Sequence, residues 1–345
     1  MLPHSHRHHI LGAAALALSL ALAGTAAAQG IGPTESPDAL IKAAQKEGAL
    51  MVYTSADESQ TKPLFAAFEK KYGIKGDFVR FPTGPLMQRF ASEADGQNVQ
   101  ADLLSVSSPI PYEDKPEWFA ELNAQAVPNV AKWPAQWVKK NHFTWTTEIV
   151  SLAYNTDLVP KGTQPTKWTD LADPKWKGKF LLTDPQVADN YLGWLDAVEK
   201  VNGMDFLKKI AGQDYKVTQS GASGAQMVAA GAHLFNAPTF PSFSNVLIAK
   251  KAPIAVQYMS GPSVLSPRDY GIVKAAPHPN AARLFLNWLM SDEGTKATCA
   301  IAAYSVTSDP DGKLGCIPVR DGMAMSFNVP EERKQALARA IGVAK

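Results

Sequence analysis

The stretch Gly48–Phe81, GALMVYTSADESQTKPLFAAFEKKYGIKGDFVRF, contains a stop, a strand, a helix, a second stop and a second strand in 34 residues. Gly48 ends whatever precedes it, and the apolar, β-branched run ALMVYT reads as a buried strand. After it, Leu64, Phe65, Phe68 and Tyr72 recur at helical spacing until Gly73 closes the element. IKGDFVRF is then a second strand. Strand, helix and strand in immediate succession predict a parallel β-sheet covered by helices.

The same grammar extends in both directions. Upstream, SPDALIKAAQKEG carries Ser36 as N-cap, Pro37 at the first helical position and Gly48 as the stop. Downstream come a helix begun by Pro85, GPLMQRFASEADG, and the strand ADLLSVS. A segment rich in proline and tryptophan, Lys115–Trp145, follows with little periodicity. Then FTWTTEIVSLAYNT is a long β-prone run and KGKFLLT a strand, and Asp184 and Pro185 are read as opening a helix through QVADNYLGWLDAVEKVNG. Further alternation runs through YKVTQ, GAQMVAAG, AHLFN, SNVLIAKK and PIAVQY. YGIVK leads into NAARLFLNWLMSDEG, whose Ala281, Leu284, Phe285, Trp288 and Leu289 form one apolar stripe. The expectation is an α/β protein of two blocks of similar size.

The N-terminus has an arginine and four histidines ahead of the apolar run Ile10–Ala23, and Ala26-Ala27-Ala28 fits a small-x-small cleavage pattern. Residues 1–28 are therefore read as a secretory signal peptide cleaved near Ala28, leaving roughly 317 residues, enough for two domains. Beyond it only His142, His233 and His278 remain, too scattered for a histidine-built metal site, so no metal and no cofactor is called for. Lys+Arg 34 against Asp+Glu 32 gives no field that would favour nucleic acid. In an oxidising compartment Cys299 and Cys316 are expected to pair, closing a loop of roughly 17 residues for about 3 kcal/mol.

In open α/β sheets a ligand lies beyond the carboxyl ends of the strands, where helices begin. Short hydroxyls and glycines crowd these places: Thr54-Ser55, Thr83-Gly84, then Ser105, Ser107 and Ser108, and in the second block Thr183-Asp184-Pro185, Ser220–Ser223 and Asn236–Thr239. Any one is an ordinary cap or turn; their recurrence at successive strand ends points to binding. The candidate ligand-holding set is Thr54, Ser55, Thr83, Gly84, Ser107, Thr183, Asp184, Ser220, Ser223, Asn236, Thr239 and Tyr258. Asp184 is read either as a helix cap or as an acceptor for the ammonium of a zwitterion, and Ser59 as a helix cap. Phe235, Phe240 and Phe243 suit an apolar wall or the core; Arg80 and Arg89 suit a phosphate or the open surface. Nucleophilic catalysis is the rival reading. Gly221-Ala222-Ser223-Gly224-Ala225 departs from a Gly-x-Ser-x-Gly elbow only at its last position, with Asp269 and His278 following in hydrolase order. No His-Glu-x-x-His, phosphate-loop lysine or dinucleotide glycine motif occurs.

GALMVYTSAD, TGPLMQRFASEADGQNVQADLL, SLAYNTDLVP, PTKWTDLADPKWKGKFLLTDP and YGIVKAAPHPNAARLFLNWLMSDEG together resemble the periplasmic solute-binding proteins of ABC importers, in the branch of ferric-ion, phosphonate, thiamine and sugar-phosphate binders. The resemblance implies a type II binding-protein fold with two lobes, each a mixed sheet flanked by helices, hinged by crossover strands. TTEIVSLAYNT would be the first crossover and DYGIVKA the second. Lobe one is then 29–149 plus 269–345, with the last helix unsettled, and lobe two is 150–268. It further implies a monomer in the periplasm that captures a small, anionic or zwitterionic solute and hands it to an inner-membrane permease with its ATPase, without catalysis. Ferric relatives use adjacent tyrosines; here the corresponding stretch is AHLFNAPTFPSF, so iron is the secondary reading.

Overall fold

The structure is a computed structural model that describes residues 36–301 and 305–344. The expected signal segment, residues 1–28, lies outside the described residues. Among the described residues, eleven α-helices and eleven strands follow in order. The first run is α1 (Pro37–Glu47), β1 (Ala49–Thr54), α2 (Glu58–Tyr72), β2 (Lys75–Arg80), α3 (Thr83–Asp95), β3 (Leu103–Val106), α4 (Ile110–Asp114), β4 (Phe143–Ile149) and β5 (Ser151–Asn155). Next come β6 (Phe180–Thr183), α5 (Asp189–Asn202), α6 (Met204–Ala211), β7 (Lys216–Thr218), α7 (Gly221–Ala229), β8 (Phe235–Thr239), α8 (Pro241–Ala249) and β9 (Ile254–Tyr258). The last are β10 (Val264–Ile272), α9 (Pro279–Leu289), α10 (Asp292–Cys299), β11 (Met323–Ala324) and α11 (Glu331–Ile341).

The strands form two mixed sheets. One has the order β11-β10-β3-β1-β2 with β4 also paired to β10, and the other the order β7-β6-β8-β5-β9. β1 runs parallel to β2 and β3, as the strand-helix-strand grammar requires, while β10 is antiparallel to β3 and β4. In the second sheet β6 is parallel to β7 and β8, and β5 runs against β8 and β9. Phe65, Phe68, Phe285 and Trp288 pack edge to face on one side of the first sheet; Tyr53, Leu86, Phe90 and Tyr112 fill the other. Trp168 and Trp194 meet at 5.0 Å in the core of the second.

The chain passes between the sheets where β4 gives way to β5, with only Val150 between them, and returns between Tyr258 and Val264. The return precedes the expected DYGIVKA stretch, because β10 is long enough to run on through the first sheet to Ile272. The Val150 amide donates to the Val264 carbonyl and ties the two passages together. After β11 the chain reaches the second sheet again: α11 buries Leu337, Ala338 and Ile341 against α5 and α6. Arg333 there pairs with Asp196 and Glu199.

Local differences from the sequence reading have simple causes. α2 is capped by Asp57 in a capping box with Gln60, and Ser59 donates to Asp57 instead of capping. The helix expected from Asp184 begins only at Asp189, because the Asp184 carboxylate accepts the Gln186 amide and turns the chain first. Cys299 and Cys316 form the disulfide. Among the described residues no helix is long and apolar enough to cross a membrane.

Candidate ligand-binding cavity

A narrow cavity of about 30 Å³ lies where the carboxyl ends of the strands of the two sheets face each other. Elements of the first sheet supply Ser55 after β1, Arg80 at the end of β2, Thr83 at the start of α3 and Ser107 after β3. Elements of the second supply Asn190 and Tyr191 from the first turn of α5, Ser220 and Gly221 at the start of α7, and Phe240 and Phe243 around the start of α8. Arg268 enters from β10. Three helices, α3, α5 and α7, begin at this cavity, and none has a side-chain hydrogen bond at its cap. The positive end of each helix dipole is directed at the space, while the Gly84, Tyr191 and Gly221 amides are taken by the Val187 carbonyl, the Asn190 side chain and the Tyr191 hydroxyl.

Two guanidinium groups, Arg268 buried and Arg80 half-buried, reinforce that field. Arg268 is 4% exposed and donates through Nη1 to Ser55 Oγ at 2.9 Å, while its Nε has no partner. Arg80 reaches from the first sheet to the second, donating through Nη2 to Ser220 Oγ at 3.2 Å, and its buried Nε is likewise without a partner. Among the described residues neither arginine has a carboxylate within 4.0 Å, and no Asp or Glu lines the cavity. Tyr191 is packed on Phe240 and held as the neutral phenol: burial raises its pKa, and the neighbouring Arg80 only partly offsets that. Its hydroxyl accepts from the Gly221 amide. A Cβ at position 221 would stand 2.2 Å from that hydroxyl, so glycine is what lets the two elements meet.

Elements of the two sheets also bond directly around the cavity. The Gly84 amide donates to the Val187 carbonyl at 3.2 Å, and Ser108 Oγ donates to Asp189 at 2.9 Å. A Cβ on Gly84 would approach that carbonyl to 3.1 Å.

Of the sequence candidates, Ser55, Arg80, Thr83, Ser107 and Ser220 line this cavity, with Phe240 and Phe243 as its apolar wall. The others do not. Thr54 turns its hydroxyl to the Ala56 amide. Thr183 donates to Asn236, which packs beneath α7 against Gly224. The Asp184 carboxylate accepts from Gln186 and Gln219, so it is a turn cap and offers the cavity no ammonium acceptor. Gly84 contributes only its backbone bond, and Thr239 is buried in β8. Ser223 is exposed on the outer rim, where Asp57, Glu58, Lys62 and Arg80 border a wider opening. Tyr258 lines a separate cavity and lies under Arg320, 3.7 Å from its ring centre. Arg89 pairs with Glu93 on α3.

The hydrolase constellation is not assembled either. His278 hydrogen-bonds Asp102 at the amino end of β3, while Ser223 sits beyond the carboxyl ends of the second sheet and Asp269 is buried beside Thr144. Sequence reasoning missed Arg268, Asn190 and Tyr191. Arg268 sits in a β-prone run whose partner strand could not be named from sequence, and the other two were read as the interior of a longer helix.

A family model described as bacterial extracellular solute-binding protein matches residues 54–296. An uncharacterized protein of Haemophilus influenzae (strain Rd) is 26% identical over 267 residues, 73% of this chain and 75% of that one. Among solved structures, the periplasmic binding protein AfuA from Actinobacillus pleuropneumoniae, with exogenous fructose-6-phosphate bound, aligns with a TM-score of 0.65 at 22% identity over 85% of this chain and 96% of that one. Iron-bound HitA from Pseudomonas aeruginosa aligns with a TM-score of 0.62 at 19% identity over 86% and 97%. At these identities the two structures speak for the fold.

Proposed function

The chain belongs to the bacterial extracellular solute-binding proteins, which serve ABC importers, and on that premise we propose that it captures a small organic anion in the cavity between its sheets for delivery to the permease and its ATPase. The observation that carries this reading is the pair of guanidiniums, Arg268 buried and Arg80 half-buried, at a cavity lined by no carboxylate and with none within 4.0 Å of either. A guanidinium held partly out of water without a bonded carboxylate is costly, and an oxyanion that accepts from both, and from Ser55, Ser107 and Ser220, at the positive ends of three helices offsets that cost. Capture is binding with closure of the sheets about the passages at Val150 and 259–263, and no covalent step is involved. A phosphate ester or phosphonate fits this lining better than a zwitterion, since two guanidiniums and no carboxylate line the cavity. A ferric ion needs anionic oxygen donors, and this lining has one protonated tyrosine and no acid. The fructose-6-phosphate held by AfuA agrees in chemical class, whereas the iron of HitA does not.

Thermal-shift screening with sugar phosphates, phosphonates, carboxylates, polyamines and ferric citrate tests the class. Anions are expected to raise the unfolding temperature, and Arg268→Met or Arg80→Met is expected to weaken the best of them at least about tenfold by calorimetry. A response to polyamines or ferric ion alone would refute the proposal.

A further inference from the structure

One carboxylate stands close behind the cavity without lining it. Glu148 lies on β4, paired with Ser266 of β10, so it shares a sheet face with Arg268 two residues further along β10. It is 8% exposed and binds the start of α8: Oε1 accepts the Ser242 amide at 2.7 Å and Oε2 accepts the Ser242 hydroxyl at 2.8 Å. Arg268 and Glu148 therefore project from adjacent strands at the passages between the sheets, one binding Ser55 of the first and the other Ser242 of the second.

We infer that Glu148 is a specificity-determining residue acting through Arg268: its carboxylate is the resident counter-charge of the cavity, and capture of an anion draws a proton onto it. This rests on the anion reading above. With Glu148 ionised, the groups at the cavity carry two guanidinium charges and one carboxylate; with Glu148 protonated, only the two positive charges remain. An oxyanion arriving at Arg268 adds negative charge beside a buried carboxylate and disfavours its ionised form. The proton comes from solvent and bonds to Oε2, and the Ser242 hydroxyl rotates from donor to acceptor. Oε1 keeps the Ser242 amide, so the cap of α8 survives the change.

The surroundings permit this. Burial already raises the Glu148 pKa, with Arg268 and then Ser242 opposing the rise. The charged and titratable groups facing it are Arg268 from β10, Tyr191 from α5, and, around the separate small cavity, Tyr258 from β9 and Arg320 from the segment before β11. Burial holds Tyr191 as the neutral phenol, so it does not compete with Glu148 for the proton.

The experiment is calorimetric titration of a binding sugar phosphate into wild type and Glu148→Gln, in buffers of different ionisation enthalpy. The ligand's own titration is common to both proteins and cancels in the difference. Wild type is expected to take up more protons than the variant. Above the pKa of Glu148 the variant is expected to bind about tenfold more tightly, and the two affinities should converge as the pH falls. An infrared difference spectrum of wild type on adding the sugar phosphate should gain a protonated-carboxyl band, which keeps the test independent of how well the variant folds. Equal proton uptake, or no such band while the anion binds, overturns the role of Glu148 alone. If no anion binds wild type, the anion reading fails and the inference fails with it.

Discussion

Asp269→Asn should stabilise this protein in mild alkali and leave it nearly unchanged in acid. Asp269 is buried in β10 between β3 and β4, and its Oδ1 has no hydrogen-bond partner. Burial pushes its pKa from 3.8 to about 7, with the Thr144 side chain pulling the other way. A carboxyl whose folded pKa exceeds its unfolded value holds its proton longer in the native state. Native protein therefore binds more protons than unfolded protein between about pH 4 and pH 7, and stability falls as pH rises through that window. At about 1.4 kcal/mol per pH unit the loss is about 4 kcal/mol by pH 8. Asparagine keeps the shape and cannot ionise, so the variant escapes that loss, less about 1 kcal/mol for imperfect hydrogen bonding of the amide. Urea unfolding at about pH 4 and about pH 8 measures both states. The expected result is near-equality at the lower pH and an advantage of about 3 kcal/mol for the variant at the higher. Asp102 and Glu148, whose pKa values burial also raises, act alike in both proteins and cancel. Parallel pH profiles for wild type and variant would refute the reasoning.

Gly221→Ala places a methyl group against the Tyr191 hydroxyl and Phe243, so anion affinity should fall and the protein should lose about 1–3 kcal/mol of stability; calorimetry and a thermal scan check the two halves. Ser220→Ala should weaken binding, whereas Ser223→Ala on the exposed rim should leave the dissociation constant unchanged, a contrast that separates the cavity from the opening outside it. Replacing Cys299 and Cys316 by serine removes the closure of their loop, separated by 17 residues, and should cost about 3 kcal/mol in urea without altering affinity.

The two-sheet fold was legible because its signals are local. Ser36, Pro37, Gly48 and Gly73 bound their helices where the spacing placed them, and strand-helix alternation implied the parallel pairing of β1, β2 and β3. Ser55, Thr83, Ser107 and Ser220 were legible as cavity residues for the same reason, since strand ends and helix starts can be counted along the chain. Arg268 and Glu148 depend on the pairing of β4 with β10, more than a hundred residues apart, which no periodicity announces. The start of α5 was misplaced because Asp184-Pro185 satisfies a helix-start pattern and a turn pattern equally; the turn prevails once Asp184 also accepts from Gln219 of the neighbouring strand connection. Thr183 and Asn236 show the limit of counting hydroxyls and amides: Thr183 closes β6, but Asn236 lies inside β8 and not after it, and the two bond each other beneath α7.

The most direct test of the account is a crystal structure of the protein with the tightest-binding sugar phosphate from the thermal-shift panel. Its phosphoryl oxygens should accept from the guanidiniums of both Arg80 and Arg268, with Ser220 and Ser55 beside them. A ligand seated on the outer rim or in the cavity beside Tyr258, with both arginines still bound only to those serines, would contradict it.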